Sequence, residues 1–171
     1  LGGLARRVRA RFRYLDGLPA LGHAQQIEYA ALWDALPAAS RAPRGVAEAV
    51  ATLKDPARFF DAFAYERAVG TIDEAAVLVG AAYHPLTLDF GSYRTPFSLL
   101  TPDEIRRDAH PSRDPFAAYW EALAAHLAGE RVGLVGVSVA FPGQVQPAFS
   151  LAHALRERLP GVHLVAGGPA V

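Results

Sequence analysis

Nine residues, 132–140, read Val-Gly-Leu-Val-Gly-Val-Ser-Val-Ala without one charge. A short, uncharged, β-branched run of this kind suits a strand covered on both faces, and such strands belong to parallel sheets. The loop Phe141-Pro142-Gly143-Gln144 interrupts it. Ala148, Leu151, Ala152, Leu155 and Leu159 then recur at helical spacing and form a single apolar stripe. Pro160-Gly161 ends that helix. Residues 162–166 read as a second short strand, with Gly167-Gly168 behind it. Two parallel strands joined through a helix make a βαβ unit, whose crossover is expected to be right-handed. The fold class expected is therefore α/β, with a parallel Rossmann-like sheet.

The rest of the chain reads as mostly helical. Residues 2–9 suggest a short helix, and Arg6, Arg7, Arg9, Arg11 and Arg13 cluster there. A solvated face explains such a cluster more simply than a phosphate or RNA contact. Aromatic and Arg residues alternate over 12–16, which predicts a strand ending at Asp16, before Gly17 and Pro19. Ile27, Ala30, Ala31 and Asp34 fall at helical spacing, with Pro37 expected to end that element and 38–45 to form a loop. Residues 47–53 suggest another helix. Pro56 opens a further one, which Gly70 is expected to close, and Thr71 with Glu74 reads as the capping box of the next. His84-Pro85 breaks that helix, and 86–90 reads as a short extended segment. Thr101-Pro102-Asp103-Glu104 carries an N-cap, an N1 proline and an acidic first turn, so a helix follows. After a turn over 111–115, Phe116, Tyr119, Trp120, Leu123 and Leu127 line a helix that Gly129 stops. The organisation expected is the start of an α/β domain at 1–20, a largely helical insertion at 21–130 and the βαβ unit at 131–171.

Composition narrows the function classes. The 171 residues are 51% hydrophobic, enough for a sizeable core. Seventeen basic and 17 acidic residues cancel, so nothing global points to nucleic acid or a membrane. There is no cysteine, which removes disulfides, thiolate metal sites and iron–sulfur ligation from this chain. No apolar run reaches the length of a spanning helix, and a cytoplasmic protein is expected. The first residue is Leu1, not Met, and Gly167-Gly168 stands close to Val171. The expectation is a segment of a larger protein.

In a doubly wound domain, ligands sit beyond the carboxyl ends of the strands. Here those ends are residues 138–144 and Gly167-Gly168. Ser138 brings a hydroxyl that both donates and accepts. Gly143 permits close backbone approach, and the following helix aims its free N–H groups at the same place. The glycine pair leaves space for a flat or bulky ligand. A hydroxyl that merely caps a turn, and glycines that merely relieve packing, are the plainer alternatives.

Val135-Gly136-Val137-Ser138, then Gln144, Pro147-Ala148, Leu151-Ala152, Arg156, Pro160 and Gly167-Gly168 resemble the cobalamin-binding region of cobalamin-dependent radical SAM enzymes. The interval from the Ser138-Val139-Ala140 step to the glycine pair, residues 141–166, also fits that family, although Ala140 stands where Leu is usual. The likeness is strongest over 132–170. It implies a corrinoid in contact with Ser138, Val139, Ala140, Phe141, Gly143, Gln144, Gly167, Gly168 and Pro169. Ser138 and the loop would approach the lower face or nucleotide tail, and the glycines would admit the tail. It further implies a parent methyltransferase acting on an unactivated carbon, in which a radical SAM domain supplies S-adenosylmethionine and a 4Fe-4S cluster. This chain, lacking cysteine, would carry cofactor without performing the radical step. Related base-off domains ligate cobalt through a D-x-H-x-x-G loop. Residues 89–94 have Gly91 at the His position and Arg94 at the Gly position, and Asp108-Ala109-His110 ends on Arg113, so no His is expected on cobalt. His153 and His163 read as structural. A receiver-like interaction domain would need an acidic pair at the strand end, which 132–139 lacks. A Rossmann nucleotide enzyme would need G-x-G-x-x-G spacing, which Gly133, Gly136 and Gly143 do not give.

Overall fold

A computed structural model describes residues 1–89, 91–95, 101–110 and 112–170. The chain forms two compact units, Leu1–Ser92 and Tyr93–Val171. The α/β class holds in coarse form: helices predominate, and among the described residues the parallel sheet has two strands.

The first unit is built on three long helices. Helix α1 (Gly2–Asp16) replaces the strand expected over 12–16. Ala5, Val8 and Leu15 on one face of α1 are buried, and Phe12 packs against the same core. This helical period overrides the local alternation that suggested a strand. Helix α2 (His23–Lys54) runs unbroken through Pro37 and Pro43, so neither the expected stop at Pro37 nor the loop at 38–45 exists. The reason is visible at Pro43. A proline has no N–H for the carbonyl four residues back, here Ala39. Arg9 Nη2 donates to that carbonyl at 2.8 Å, and also to Ser40 Oγ at 3.0 Å. A side chain from α1 thus replaces the missing backbone donor. The alanines of α2 then let the helices approach closely, with Leu32, Ala35, Ala38 and Ala39 packed against Leu78, Ala81 and Ala82.

Short helix α3 (Pro56–Phe59) starts as expected at Pro56, with Asp55 Oδ1 accepting from the Ala57 amide at 2.9 Å. Helix α4 (Ala62–Ala82) is capped by Asp61 and passes through Gly70 without ending. The expected capping box at Thr71 is absent; Thr71 Oγ1 donates back to Arg67 O inside the helix. Nor are the arginines of α1 a bare charged face. Arg11 forks onto Glu28 with both bonds at 2.7 Å, Arg13 donates to Arg9 O, and Arg7 lies over the Tyr83 ring.

Strands β1 (Thr87–Leu88) and β2 (Tyr93–Arg94) are two residues each. Phe90, at the end of the expected extended segment, lies outside the described residues. In the second unit, α5 (Pro102–Asp108) begins at the expected N-cap and N1 proline, where Thr101 and Glu104 also form a capping box, and α6 (Ala117–Gly129) ends at the expected Gly129. Pro111, in the expected turn, also lies outside the described residues. Strand β3 (Leu134–Ser138), a 3-10 turn (Pro142–Gln144), helix α7 (Val145–Arg158) and strand β4 (His163–Gly167) complete the βαβ unit. β3 and β4 pair in parallel, in the register Leu134–His163 through Ser138–Gly167.

The expectation of burial on both sheet faces fails. Val135 and Leu164 pack with Trp120, Leu151 and Leu155 under α6 and α7. The opposite face carries Leu134, Gly136 and Ser138 beside His163, Val165 and Gly167, all exposed. Leu134 is 61% exposed and Val165 46%, so their apolar character does not report burial here.

Candidate functional site

Residues distant in sequence meet at the carboxyl tips of β3 and β4. Ser138 and Gly167 are direct neighbours in the parallel register, and both are exposed. The two glycines that look equivalent in sequence do different work. A Cβ built on Gly167 would meet nothing within 4 Å. One built on Gly168 would lie 2.4 Å from Val139 O, and Gly168 has φ +126°. That backbone angle and that approach both require glycine. The chain crosses back over Val139 here: Val139 N donates to Gly167 O at 2.7 Å, and Ala170 N donates to Val139 O at 3.2 Å. Gly168 therefore locks the two tips together, whereas Gly167 leaves open space beside Ser138.

The loop after β3 is held by its own glutamine. Gln144 Oε1 accepts from the amides of Ala140 at 2.8 Å and Phe141 at 3.2 Å. Those two amides are occupied and do not serve as anion donors. The Phe141 ring projects outward, 67% exposed, and Pro169 is exposed as well. Gly143 is half-buried at the turn. Val139 is the exception among the expected contact residues: its side chain is 2% exposed and points into the core. The register brings Ser138, Ala140, Phe141, Gln144, Gly167 and Pro169 to one end of the unit, and Val139 and Gly168 form the backbone floor between them.

None of the nine residues expected to contact a ligand carries a formal charge. His163 pairs with Leu134 at the other end of the strands, four rungs or roughly 13 Å from the tips. His153 is exposed on α7. Among the described residues no group of three or more His, Cys, Asp or Glu could hold a metal ion. Asp89 is engaged in a turn, accepting from the Gly91 amide at 2.8 Å and Ser92 Oγ at 2.7 Å.

A second polar feature of this unit lies beneath the helices. Asp114 is 2% exposed; its Oδ1 accepts from the Phe116 amide at 2.8 Å and its Oδ2 from Trp120 Nε1 at 2.9 Å. Asp108 accepts from Arg113 Nε at 3.0 Å. Burial first, then the nearby Asp114 and Asp108 charges, push the Tyr93 hydroxyl well above its ordinary value, with Arg113 opposing. The sequence held a signal for part of this. Asp114-Pro115-Phe116 is an Asx-turn pattern, and Gln146, Ser150 and Ala154 form an i, i+4, i+8 row beside the apolar stripe of α7.

No family model, curated protein or solved structure matches the chain.

Proposed function

We propose that the second unit is a corrinoid-binding module of a cobalamin-dependent radical SAM enzyme, within a parent protein that transfers a methyl group to an unactivated carbon. The observation that carries this reading is the juxtaposition of Ser138 and Gly167, hydroxyl beside bare backbone, at neighbouring strand tips. The donor set fits a large, mostly neutral ligand: an exposed hydroxyl, contact residues without formal charge, and space where a Cβ at Gly167 would touch nothing. In this reading Ser138 hydrogen-bonds the lower face or the nucleotide tail, Gly167 admits the tail, and Phe141 shields one side. Gly168 acts at one remove by fixing the tips. The corrinoid, when bound, supplies the methyl-transfer chemistry, and the protein supplies placement. A radical SAM domain, with S-adenosylmethionine and a 4Fe-4S cluster, would have to act with it.

The test is retention of hydroxocobalamin by the full chain through gel filtration, followed by its visible absorbance. Colour is expected to travel with the protein. Gly167→Val is expected to weaken retention while leaving circular dichroism and melting unchanged. Gly168→Ala is expected to destabilise the unit by about 1–3 kcal/mol through backbone strain, so it is the wrong probe of the slot. A colourless protein peak, or full retention by Gly167→Val, overturns the reading.

A further inference from the structure

In the first unit, α2 and α4 are joined at one end through α3, and a cleft of about 310 Å³ runs along the seam between them. Each helix lines it at i, i+3, i+4 and i+7, over residues 45–52 of α2 and 64–71 of α4. At one end Gly45 meets Thr71: a Cβ built on Gly45 would lie 3.1 Å from Thr71 Cγ2. Following the two helices to the other end of the lining brings Thr52 level with Ala64. Ala49 and Ala68, both buried, form the floor between. Small residues alone explain no more than a close approach of two helices, but one side chain in this seam does not fit that explanation.

The two threonines use their hydroxyls differently. Thr71 Oγ1 donates to Arg67 O at 2.9 Å, the common bond of a helical threonine to the carbonyl one turn back. Thr52 is 3% exposed, and its hydroxyl makes no hydrogen bond among the described residues. Nor is that hydroxyl sealed. Among the described residues, the unpartnered side-chain atoms closed to solvent are Asp108 Oδ2, Gln146 Oε1 and Ser150 Oγ, all in the second unit. Thr52 Oγ1 thus keeps an opening, and the cleft is where it opens. A hydroxyl this buried and left unmet carries a desolvation cost that a ligand would remove. Charge gives the sign of that ligand. Arg58 and Glu48 also line the cleft, and they pair with each other. Arg67 lines it too and has no ion-pair partner among the described residues. Helical side chains lean toward the N-terminus, so the Arg67 stem leans toward the level of Ala64 and Thr52. A hydroxyl free to donate and an unpaired guanidinium ask for an anion. The alanine floor and the Thr71 methyl ask for a hydrocarbon body, and the volume, at the small end of ligand pockets, asks for a short one.

We propose that the α2–α4 seam binds a short aliphatic carboxylate, which accepts from the Thr52 hydroxyl and from Arg67 while its chain lies on Ala49, Ala64 and Ala68. The site belongs to the first unit and does not depend on the corrinoid reading.

The probe is butyrate, titrated into the full chain at constant ionic strength and followed through the amide resonances of residues 45–52 and 64–71. Saturable shifts centred on those two stretches are expected. Butylammonium, with the same chain and the opposite charge, is expected to produce none. Inorganic phosphate, an anion without the chain, is expected to bind about tenfold more weakly or worse, for want of buried methylenes. Arg67→Gln and Thr52→Val are each expected to weaken butyrate about tenfold, as for hydrogen bonds to a charged group. Without ligand, Thr52→Val is expected to melt no earlier than its parent, since it removes an unmet hydroxyl at nearly constant shape, so its weaker binding is not unfolding. Arg67 lies at the surface, and its variant decides the matter by itself if Thr52→Val fails to fold. The proposal is overturned by shifts that do not saturate, by an equal response to butylammonium or phosphate, or by unchanged affinity in either folded variant.

Discussion

The two units solve different problems with similar elements. In Leu1–Ser92 the helices close on one another, and Val8, Ala35 and Leu78 are fully buried in a single alanine-rich core. In Tyr93–Val171 the helix–sheet core is small, centred on Ala124, Ala154 and Leu155, and one sheet face is left bare. Among the described residues, the fully buried side-chain atoms without a hydrogen-bond partner, Asp108 Oδ2, Gln146 Oε1 and Ser150 Oγ, lie in this second unit. Polar atoms in the first unit are put to structural use, as when Arg9 completes the α2 ladder, except along the α2–α4 cleft. The contrast separates a unit optimised for packing outside that cleft from one that keeps surfaces and polar groups in reserve, which is where ligand chemistry is expected.

The comparison breaks most readily at its apolar residues. Leu78→Ala is expected to cost about 2–5 kcal/mol, because it opens a cavity among packed helices. Leu134→Ala is expected to stay within about 0.5 kcal/mol, because its side chain already meets water. Urea unfolding followed by circular dichroism measures both. If Leu134→Ala proves as costly as Leu78→Ala, the open sheet face is covered in solution and the contrast is wrong.

That same pair of leucines marks how far sequence alone reached. The βαβ unit was legible because an uncharged apolar run, a strong 3.6 period and a second short apolar run lie end to end between 132 and 167. The N-cap at Thr101 and the stop at Gly129 were legible because capping is local chemistry. Burial of the β3–β4 face was not legible, because an apolar strand reads the same whether or not a second layer covers it. The α2 helix was misjudged because proline's cost is local while its remedy, Arg9, is 34 positions away from Pro43. At the strand tips the sequence identified the right neighbourhood: Ser138 and Gly167 do meet. It could not separate Gly167 from Gly168, since that distinction lies in the backbone of Val139. The orphaned Ser150 was hidden for the same reason, because a missing partner leaves no motif.

The Arg9 remedy yields the next test, of intermediate size. Arg9→Ala is expected to destabilise the first unit by about 1–2 kcal/mol, leaving Ala39 O unmet beside Pro43. Pro43→Ala restores an amide at position 43 that can donate to the same carbonyl. In that background, Arg9→Ala is expected to cost clearly less, and the double-mutant cycle gives the coupling directly. Equal costs in both backgrounds would show that Arg9 serves α2 only through its contact with Ser40.

The smallest expected effect is also the one that sets the units against each other, through pH. In the first unit, Arg11 donates to Glu28 and holds its carboxyl below the ordinary range. Burial lowers the His84 imidazole, with Glu28 opposing. Both groups therefore bind a proton less readily folded than unfolded. Glu28 contributes its full stability above the ordinary value of 4.5 and loses it as pH falls through its lower folded value. His84 adds a penalty of the same sign as pH falls below 6.5. In the second unit Tyr93 is raised, so its contribution is complete below the ordinary value of 10.0 and is lost as pH rises beyond it. Acid is thus expected to loosen the first unit first, and alkali the second. Tyr29 is also raised, through its bond to Asp16, but it is solvent-screened and contributes little. A Tyr29→Phe background removes it altogether. The methyl resonances of Leu78 and Leu155, one in each core, report the two units separately across the pH range. Glu28→Gln is expected to flatten the Leu78 acid limb below pH 4.5 without touching the Leu155 alkaline limb, and Tyr93→Phe to do the reverse. Simultaneous loss of both resonances at either extreme would show that the units unfold as one, and the division between them would then have no energetic meaning.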